Sequence, residues 1–309
     1  MWSVSTLKVT DDLGRTLGFP EPPQRIVSLV PSDTYSVIAL GAATRLVGRT
    51  RYCESPEAAG VPEVGGTKDI DVDAVIALAP DLVIANQEEN TRIALEALAA
   101  AHIKVLVSLP RRVGDGIAHL ARLARILGVG STEPAHSLIR RGYRLRDRVI
   151  TQVQIGTPPA GSPFVARTAT PPRDDTRVRA FIPIWMDPLM TLNADTFGSD
   201  VLVQVGIANV FGERQRLYPL AADLGKGQPQ DPGGRDLRYP RVTLFEVQAR
   251  DPQLVILPDE PHAFTPDDEA VLREALPGVR VVRVSGKDVF WYGAWTIDAI
   301  DRLAAELSA

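Results

Sequence analysis

The 309-residue chain has little of several features that mark common functional classes. Its single cysteine, Cys53, cannot form an internal disulfide and cannot supply the several thiolates of an iron–sulfur cluster. Lysines and arginines number 34 against 38 acidic residues, so the net charge of -4 gives no broad basic field for nucleic acid. No run reaches the roughly 18 apolar residues of a membrane-spanning helix. We therefore expect neither a nucleic-acid partner nor membrane insertion.

The common catalytic signatures are also missing. The sequence contains no glycine-rich phosphate loop, no G-x-S-x-G, no H-E-x-x-H and no paired C-x-x-C. His102, His119 and His136 lie on helical patterns without metal-ligand spacing, so we expect them at the surface. His262 follows a predicted strand and is the one histidine expected in a cleft, while Cys53 is expected to be a small buried residue. The residues predict no catalytic site, no catalytic cofactor and no metal site.

Short apolar runs alternate with helical patterns in the first half of the chain. Runs at 25–30, 81–85 and 104–109 are apolar without alternation, as in parallel strands that are covered by helices on both faces. Helical patterns lie between them, at 90–101 and 116–127. This order predicts β-α-β units and a mostly parallel sheet.

Capping residues predict where helices begin and end. Ser32 stands at the expected N-cap of the helix after the first strand. The longest pattern, 134–155, begins after Ser131 or Thr132 and ends before Gly156. At about 1.5 Å per residue it spans about 30 Å. It is either one more crossover helix or a rigid spine between two lobes.

The second half repeats the order of the first half. The block 71–84 recurs as 243–256, 172 residues later, and the strand 104–107 recurs as 280–283. Two blocks in one order at nearly one spacing predict two similar α/β lobes. We expect an N-terminal lobe over 1–130, a spine helix over 131–156 and a C-terminal lobe over 157–309. The stretches 157–179 and 222–239 are rich in proline, glycine and charge, and they are expected to be surface loops.

Polar and aromatic residues stand just past the predicted strand ends. In open α/β sheets, ligands bind beyond the carboxyl ends of the strands. Aromatic walls with a few directed polar groups are typical of a pocket for a fairly large organic ligand, although Trp185 and Trp291 would also fit as partly exposed core residues. The predicted ligand-binding residues are Ser32, Arg51, Tyr52, Gly66, Thr67, Asn86, Trp185, Met186, Glu260, His262, Phe290, Trp291 and Tyr292.

Six segments carry a resemblance to a known family. They are RIVSLVPS at 25–32, VGRTRYC at 47–53, VGGTK at 64–68, APDLV at 79–83, YPRVT at 239–243 and DVFWY at 288–292. In order and spacing they resemble the class III solute-binding proteins of ABC importers, also called helical backbone metal receptors. That group includes proteins that bind vitamin B12 and proteins that bind ferric siderophores.

The resemblance implies two Rossmann-like lobes joined by a single long helix, with a ligand cleft between the lobes. It implies a non-catalytic protein that holds cobalamin or another corrinoid, with a ferric siderophore or haem as the alternative. A cytoplasmic carrier or sensor derived from the importers, and an enzyme that uses the cleft, are further alternatives. By position, the family's ligand contacts fall on Ser32, Tyr52, Gly66 with Thr67, Trp185, and Phe290 with Trp291.

Two positions depart from the family pattern. Transport-competent members usually carry an exposed glutamate near the start of one helix in each lobe, which pairs with an ABC permease. Tyr35 and Phe245 stand at the expected positions here, and the remaining candidate, Glu246, is expected to form a capping box with Thr243. These departures argue against permease docking.

Residues 1–25 show no apolar leader. We expect a cytoplasmic protein if the sequence is complete, and an extracytoplasmic one if a leader has been removed. The protein is expected to be a monomer.

Overall fold

Two compact units make up the chain in this computed structural model, which describes residues 6–154 and 177–308. Unit 1 comprises Met1–Arg146 together with the later segment Trp291–Ile297. Unit 2 comprises Asp147–Phe290 and Asp298–Ala309. A short stretch from near the end of the chain therefore belongs to the N-terminal unit. Most of the predicted loop 157–179 lies outside the described residues.

Unit 1 is built on a four-stranded parallel sheet with the strand order β4-β3-β5-β6. A small antiparallel hairpin, β1–β2, precedes it. The strands are β1 Leu7–Thr10, β2 Thr16–Phe19, β3 Ile26–Ser28, β4 Leu46–Arg49, β5 Leu82–Asn86 and β6 Val105–Ser108. The helices are α1 Pro31–Ala39, α2 Val72–Ala77, α3 Arg92–Ala100, α4 Val113–Ile126 and α5 Ala135–Gln154.

Unit 2 contains a second parallel sheet, with the order β10-β7-β11-β12, and an antiparallel hairpin, β8–β9. Its strands are β7 Val178–Phe181, β8 Pro183–Met186, β9 Leu189–Thr191, β10 Ile207–Asn209, β11 Leu254–Pro258 and β12 Arg280–Val284. The helices that follow α5 are α6 Phe197–Gln204, α7 Leu220–Asp223, α8 Leu244–Ala249, α9 Pro266–Ala275, α10 Gly286–Phe290 and α11 Thr296–Ser308.

The two sheets repeat each other strand for strand, as the 172-residue offset predicted. In each sheet the two central strands pair in parallel, β3 with β5 in unit 1 and β7 with β11 in unit 2. The helix before β5 and the helix before β11 are each capped by a side chain. The Asp71 carboxylate accepts a hydrogen bond from the Ala74 N–H at 2.9 Å, and the Thr243 hydroxyl accepts one from the Glu246 N–H at 3.1 Å. The predicted α/β fold with two mostly parallel lobes is confirmed.

The middle strands are apolar because helices cover both of their faces. Every residue of β5 and of β11 is buried. Val83 and Val255 occupy the same place in the repeat, and each lies in the hydrophobic core of its own unit. The uninterrupted apolar runs in the sequence thus reflect burial on both sides.

Two helix boundaries bear on the predictions. The long helix α5 matches the predicted 134–155 closely, and the division between the units falls inside it, between Arg146 and Asp147. Ser32 is not an N-cap, because α1 begins at Pro31 and Val30 precedes it without a side-chain cap. Proline fits a first helical turn, so the helix starts earlier than the serine signal indicated. No helix among the described residues has the length and apolar character to cross a bilayer.

The cap on α8 gives a test of the local folding rules. Replacing Thr243 by alanine removes the acceptor for the Glu246 N–H, so we expect unit 2 to lose about 1 kcal/mol of unfolding free energy. Thr243→Ser keeps the hydroxyl and should lose much less. Denaturant unfolding followed by circular dichroism measures both variants. Equal stability of the alanine variant and the wild type would contradict the role of the cap.

Candidate ligand-binding site

In unit 1, three of the predicted residues lie together after β4. Arg51 and Tyr52 are exposed, and the Arg51 guanidinium lies 5.7 Å from the centre of the Tyr52 ring. A Cβ atom on Gly66 would come within 2.6 Å of the Arg51 Nη1 atom and 3.1 Å of the Tyr52 ring, so a larger residue there would displace these side chains. Arg51 also pairs with Asp69 at 2.7 Å, and this bond lowers the pKa of the Asp69 carboxyl group. The loop presents a fixed cation beside an exposed phenol ring.

Three more predicted residues of unit 1, Ser32, Thr67 and Asn86, take part in hydrogen bonds within the unit. Ser32 and Asn86 are buried, and the Thr67 carbonyl oxygen accepts a hydrogen bond from the Asn90 side chain at 3.0 Å. The Asn86 Oδ1 atom accepts from the Glu88 N–H, while its Nδ2 atom donates to Tyr292. Of the three side chains, that of Asn86 bonds to its neighbours, and a role for these residues in ligand binding stays a prediction.

A buried polar network links α1, α4 and the late segment of unit 1. The Tyr292 hydroxyl donates to Asp33 Oδ2 at 2.7 Å, and His119 Nε2 lies 2.9 Å from Asp33 Oδ1. Ser108 lies 2.9 Å from the same phenol oxygen. Burial, and then the negative charge of Asp33, raises the pKa of Tyr292 well above its ordinary value of 10.

The network corrects one prediction made from the sequence. His119 was expected at the surface because it lies on a helical pattern, but its side chain is buried and its Nδ1 atom has no hydrogen-bond partner. The helical period placed His119 on the inner face of α4 together with Leu120 and Leu123. Only the tertiary partner, Asp33, makes a histidine acceptable there. Cys53 is buried as expected, with its sulfur 3.0 Å from the Thr34 hydroxyl.

Aromatic rings form a second group on the same late segment. The rings of Trp291 and Trp295 meet edge to face at 5.2 Å between centroids, and Trp295 meets Tyr35 of α1 at 4.9 Å. All three side chains are half-buried. Trp291 was a predicted site residue, whereas Trp295 and Tyr35 were not. Their contribution depends on contacts across more than 250 residues of chain, which local patterns do not reveal.

In unit 2, two predicted residues come together on the β8–β9 hairpin and the loop after β11. The rings of Trp185 and His262 lie 5.1 Å apart, and His262 meets Phe264 edge to face at 4.7 Å. Trp185 is 44% exposed although its indole N–H is bonded to the Asp187 carbonyl oxygen at 3.0 Å. An indole so exposed, yet held by a hydrogen bond and a neighbouring ring, forms a fixed aromatic wall.

The register of the β8–β9 hairpin gives Met186 and Met190 different surroundings. Met186 pairs with Leu189 and packs against the core of unit 2, and its predicted place in a ligand site stays a prediction. Met190 pairs with Trp185 on one side and with Arg241 on the other. Directly paired residues in antiparallel strands share a face. Trp185, Met190 and Arg241 therefore form a row on one face, which sequence reasoning missed because it depends on register.

Glu260 and Phe290 lie at the two ends of the short helix α10. A Cβ on Gly286, the first residue of α10, would lie 2.8 Å from the Glu260 backbone nitrogen, and one on Gly198 would lie 2.8 Å from the Phe290 ring. Both predicted residues are thus packed closely against glycines. Phe290 is the last residue of α10 and does not directly follow a strand, because α10 comes after β12. Among the described residues, no group of histidine, cysteine and carboxylate side chains could hold a metal ion.

Comparison with known proteins agrees with this architecture. Residues 26–141 match the model of a family described as periplasmic binding protein. The vitamin B12-binding protein of Yersinia pestis is 26% identical over 239 residues, which cover 76% of this chain and 69% of that protein. The resemblance to the class III solute-binding proteins is confirmed.

Solved structures show the same fold. The periplasmic vitamin B12-binding protein of Vibrio cholerae has a TM-score of 0.65 and 20% identity, over 93% of this chain and 97% of that chain. A periplasmic heme-binding protein from Pseudomonas aeruginosa has a TM-score of 0.62 and 21% identity, over 93% of this chain and 94% of that chain. The class III fold therefore extends over both units, beyond the region that the family model matches.

One expectation that came with the resemblance needs a correction, and it concerns Glu246. Tyr35, which stands at the other expected docking position, packs on Trp295. Glu246 does not complete a capping box, because its carboxylate lies 3.0 Å from the Arg214 Nε atom. An arginine at hydrogen-bond distance outcompetes the backbone N–H for this carboxylate.

Proposed function

We propose that the protein is a non-catalytic solute-binding protein for a bulky ligand, either a corrinoid or a metal chelate such as haem or a ferric siderophore. The names of its relatives support this range, since they include vitamin B12-binding and heme-binding proteins. The observation that carries the proposal is Trp185, a large apolar side chain that stays 44% exposed on a bonded hairpin. Exposed aromatic surface of this kind is stabilised when a ligand covers it.

Four of the predicted ligand-binding residues support this function, because they present charged or aromatic groups near strand ends. In unit 1, Arg51 and Tyr52 present a cation and an exposed ring after β4. In unit 2, Trp185 and His262 present two rings at 5.1 Å. Both sets follow or flank the carboxyl ends of parallel strands, where ligands bind in open α/β sheets. We infer that these four side chains contact the ligand and that the bound group is a ligand and not a catalytic cofactor.

The residues in the first turn of α8 argue against docking of unit 2 to an ABC permease. Phe245 is 79% exposed but apolar, so it cannot pair with an arginine of a partner. Glu246 is engaged by Arg214 at 3.0 Å and by Arg250 at 3.6 Å. We infer that unit 2 does not dock a permease through a carboxylate of α8, whereas Asp73 of α2 keeps an exposed carboxylate in unit 1.

The proposal is tested by visible absorption spectroscopy and calorimetry with cyanocobalamin, haemin and ferrichrome as probes. We expect one of the three to bind, and Trp185→Ala to weaken its binding about tenfold, which is roughly 1.4 kcal/mol. Trp291→Ala makes the same test in unit 1.

A matched control is Val271→Ala, which removes exposed apolar surface from α9 in unit 2 and should leave the affinity unchanged. If no probe binds, the ligand class is wrong. If a probe binds equally to both tryptophan variants and the wild type, the placement of the site is wrong.

A further inference from the structure

The outer edge of the unit 2 sheet is open. Its last strand, β12, has β11 on one side. The Val284 carbonyl oxygen accepts a hydrogen bond from the Asp259 N–H at 3.2 Å, so Val284 directs its backbone groups toward the β11 side. Because backbone groups alternate between the two edges of a strand, Val281 and Arg283 direct theirs away from β11. On that side, neither backbone makes a hydrogen bond within the described parts of the chain.

The equivalent edge of unit 1 is covered. The strand β6, which recurs in the repeat as β12, is the last strand of its own sheet. The Val107 N–H donates to Asp11 Oδ2 at 3.4 Å, and the Val107 carbonyl oxygen accepts from the Asp12 N–H at 3.1 Å. The Val105 carbonyl oxygen accepts from Arg15 at 3.0 Å. The turn between β1 and β2, which carries two aspartates, thus satisfies an edge of the kind that β12 leaves open.

A groove lies beside the open edge, between α9 and β12. It has a volume of about 450 Å³ and is lined by Phe264, Pro266, Glu269, Ala270, Arg273 and Arg283. The Glu269 carboxylate lies 2.7 Å from Arg273 and 2.9 Å from Arg283, and these bonds lower the pKa of its carboxyl group. The groove therefore combines apolar surface with two positive charges and one negative charge.

The charge of this edge indicates what can cover it. Arg280 and Arg283 are exposed on β12 itself. A second copy of the chain would bring its own arginines to the same edge, and like charges on neighbouring strands are unfavourable. A segment with carboxylates would instead pair with the excess arginine charge. The covered edge of unit 1 has the same preference, because its outer groups bond to a turn that contains Asp11 and Asp12.

We propose that an extended, acidic segment of a partner protein binds to the β12 edge as an added strand of the unit 2 sheet. Its backbone completes the hydrogen bonds of Val281 and Arg283, as in other complexes that extend a sheet by one strand. An apolar side chain of the segment enters the groove beside Phe264, and a carboxylate pairs with Arg273. The inference is independent of the bulky ligand, since none of these four residues is a predicted ligand-binding residue.

The first experiment uses a peptide of known sequence as the probe. In the capped peptide VTDTVT, valine and aspartate share one face of a strand. One control is VTKTVT, which reverses the charge, and another is VTDTVT with N-methylated amides, which cannot donate to a neighbouring strand. Each peptide is titrated into the full chain, and backbone N–H signals are followed by ¹⁵N NMR. We expect VTDTVT to shift the Val281 and Arg283 signals saturably and both controls to bind about tenfold more weakly. The Val105 and Val107 signals of the covered edge should not move.

Two variants of the chain test the edge and the groove separately. Val281→Pro removes an N–H that does not bond to β11, so it should abolish peptide binding and keep the sheet. Arg273→Gln should weaken the binding of VTDTVT about threefold. The matched control is Arg92→Gln, which breaks a similar pair with Glu96 on α3 of unit 1 and should leave the affinity unchanged. Circular dichroism checks that each variant is folded. If Val281→Pro does not fold, the N-methylated peptide makes the same test on the unaltered chain.

Three results would each overturn the inference. They are the absence of saturable shifts at Val281 and Arg283, equal binding of VTDTVT and VTKTVT, and binding that survives N-methylation. Analytical ultracentrifugation of the chain alone tests the other occupant, because dimers that Val281→Pro abolishes would assign the edge to a second copy. None of these outcomes bears on the proposed function, which cyanocobalamin, haemin and ferrichrome test separately.

Discussion

Replacing Tyr292 by phenylalanine should lower the unfolding free energy of unit 1 by about 1.5–3 kcal/mol, the range for a hydrogen bond to a charged group. The phenol is buried and donates to Asp33 Oδ2 at 2.7 Å. Without it, the bond to His119 is the one that the Asp33 carboxylate keeps among residues 6–154 and 177–308, and the carboxylate is buried. Denaturant unfolding followed by tryptophan fluorescence measures the loss, because Trp291 and Trp295 lie on the same segment.

Tyr218→Phe is the matched control for this substitution. Tyr218 is also buried, but it lies in unit 2 and donates to an uncharged acceptor, the Asp236 carbonyl oxygen, at 2.8 Å. It should cost about 1 kcal/mol. If both variants lose the same small amount of unfolding free energy, the Tyr292–Asp33 hydrogen bond stabilises the fold no more than a bond to an uncharged acceptor.

The raised pKa of Tyr292 also sets the sign of a pH effect. Below about pH 10 the phenol is protonated in both the folded and the unfolded chain, so the stability of unit 1 is unaffected. Above that pH the unfolded chain loses the proton while the folded unit keeps it, and stability falls as the pH rises. The unfolding midpoint of the wild type should therefore decrease between about pH 9 and 11 more steeply than that of Tyr292→Phe. Parallel curves would show that another group causes the alkaline loss.

The network explains why a segment from the end of the chain belongs to unit 1. Tyr292 reaches Asp33, and the Ala294 N–H donates to the Ser36 hydroxyl at 3.1 Å. Gly293 between them has φ of 81°, and a Cβ there would lie 2.6 Å from Ser36 Oγ. Glycine is required because it permits both the backbone angle and the close approach. These contacts fix the backbone that carries Trp291.

The fold was predictable because its signals are local. The caps Asp71 and Thr243 and the buried strands β5 and β11 can each be read within about fifteen residues of sequence, and they recur at one offset. The network around Asp33 was not predictable, because Asp33 and Tyr292 are 259 residues apart. A helical period can show that His119 shares a face with Leu120, but it cannot show that the Asp33 carboxylate is buried beside it.

The candidate site likewise contains residues that could be predicted from the sequence and residues that could not. Trp185 and His262 stood out because each interrupts the periodicity near a predicted strand end, and the structure brings their rings to 5.1 Å. Met190 and Arg241 were missed because their proximity to Trp185 depends on the register of a hairpin and of an isolated bridge. A shift of β9 by one residue in that register would turn Met190 into the core.

Replacing Asp223 by alanine should destabilise unit 2 by about 3–5 kcal/mol, the cost of breaking a buried ion pair from one side. Its carboxylate is fully buried, accepts from the Leu217 and Arg241 N–H groups at 2.8 Å each, and lies 3.2 Å from Arg214. Removing it leaves two backbone donors unsatisfied and removes a negative charge that faces both Arg214 and Arg241.

Asp223→Asn separates the charge of this side chain from its hydrogen bonds. The amide oxygen can accept from one backbone N–H, so the loss should be smaller than in the alanine variant and should grow at low salt, where arginine repulsion is least screened. Thermal and denaturant unfolding at two ionic strengths measure both effects. Because phosphate or citrate would occupy the same positive field, either anion should restore part of the stability that Asp223→Asn loses. A loss independent of salt and of both anions would mean that Asp223 acts through backbone bonding alone.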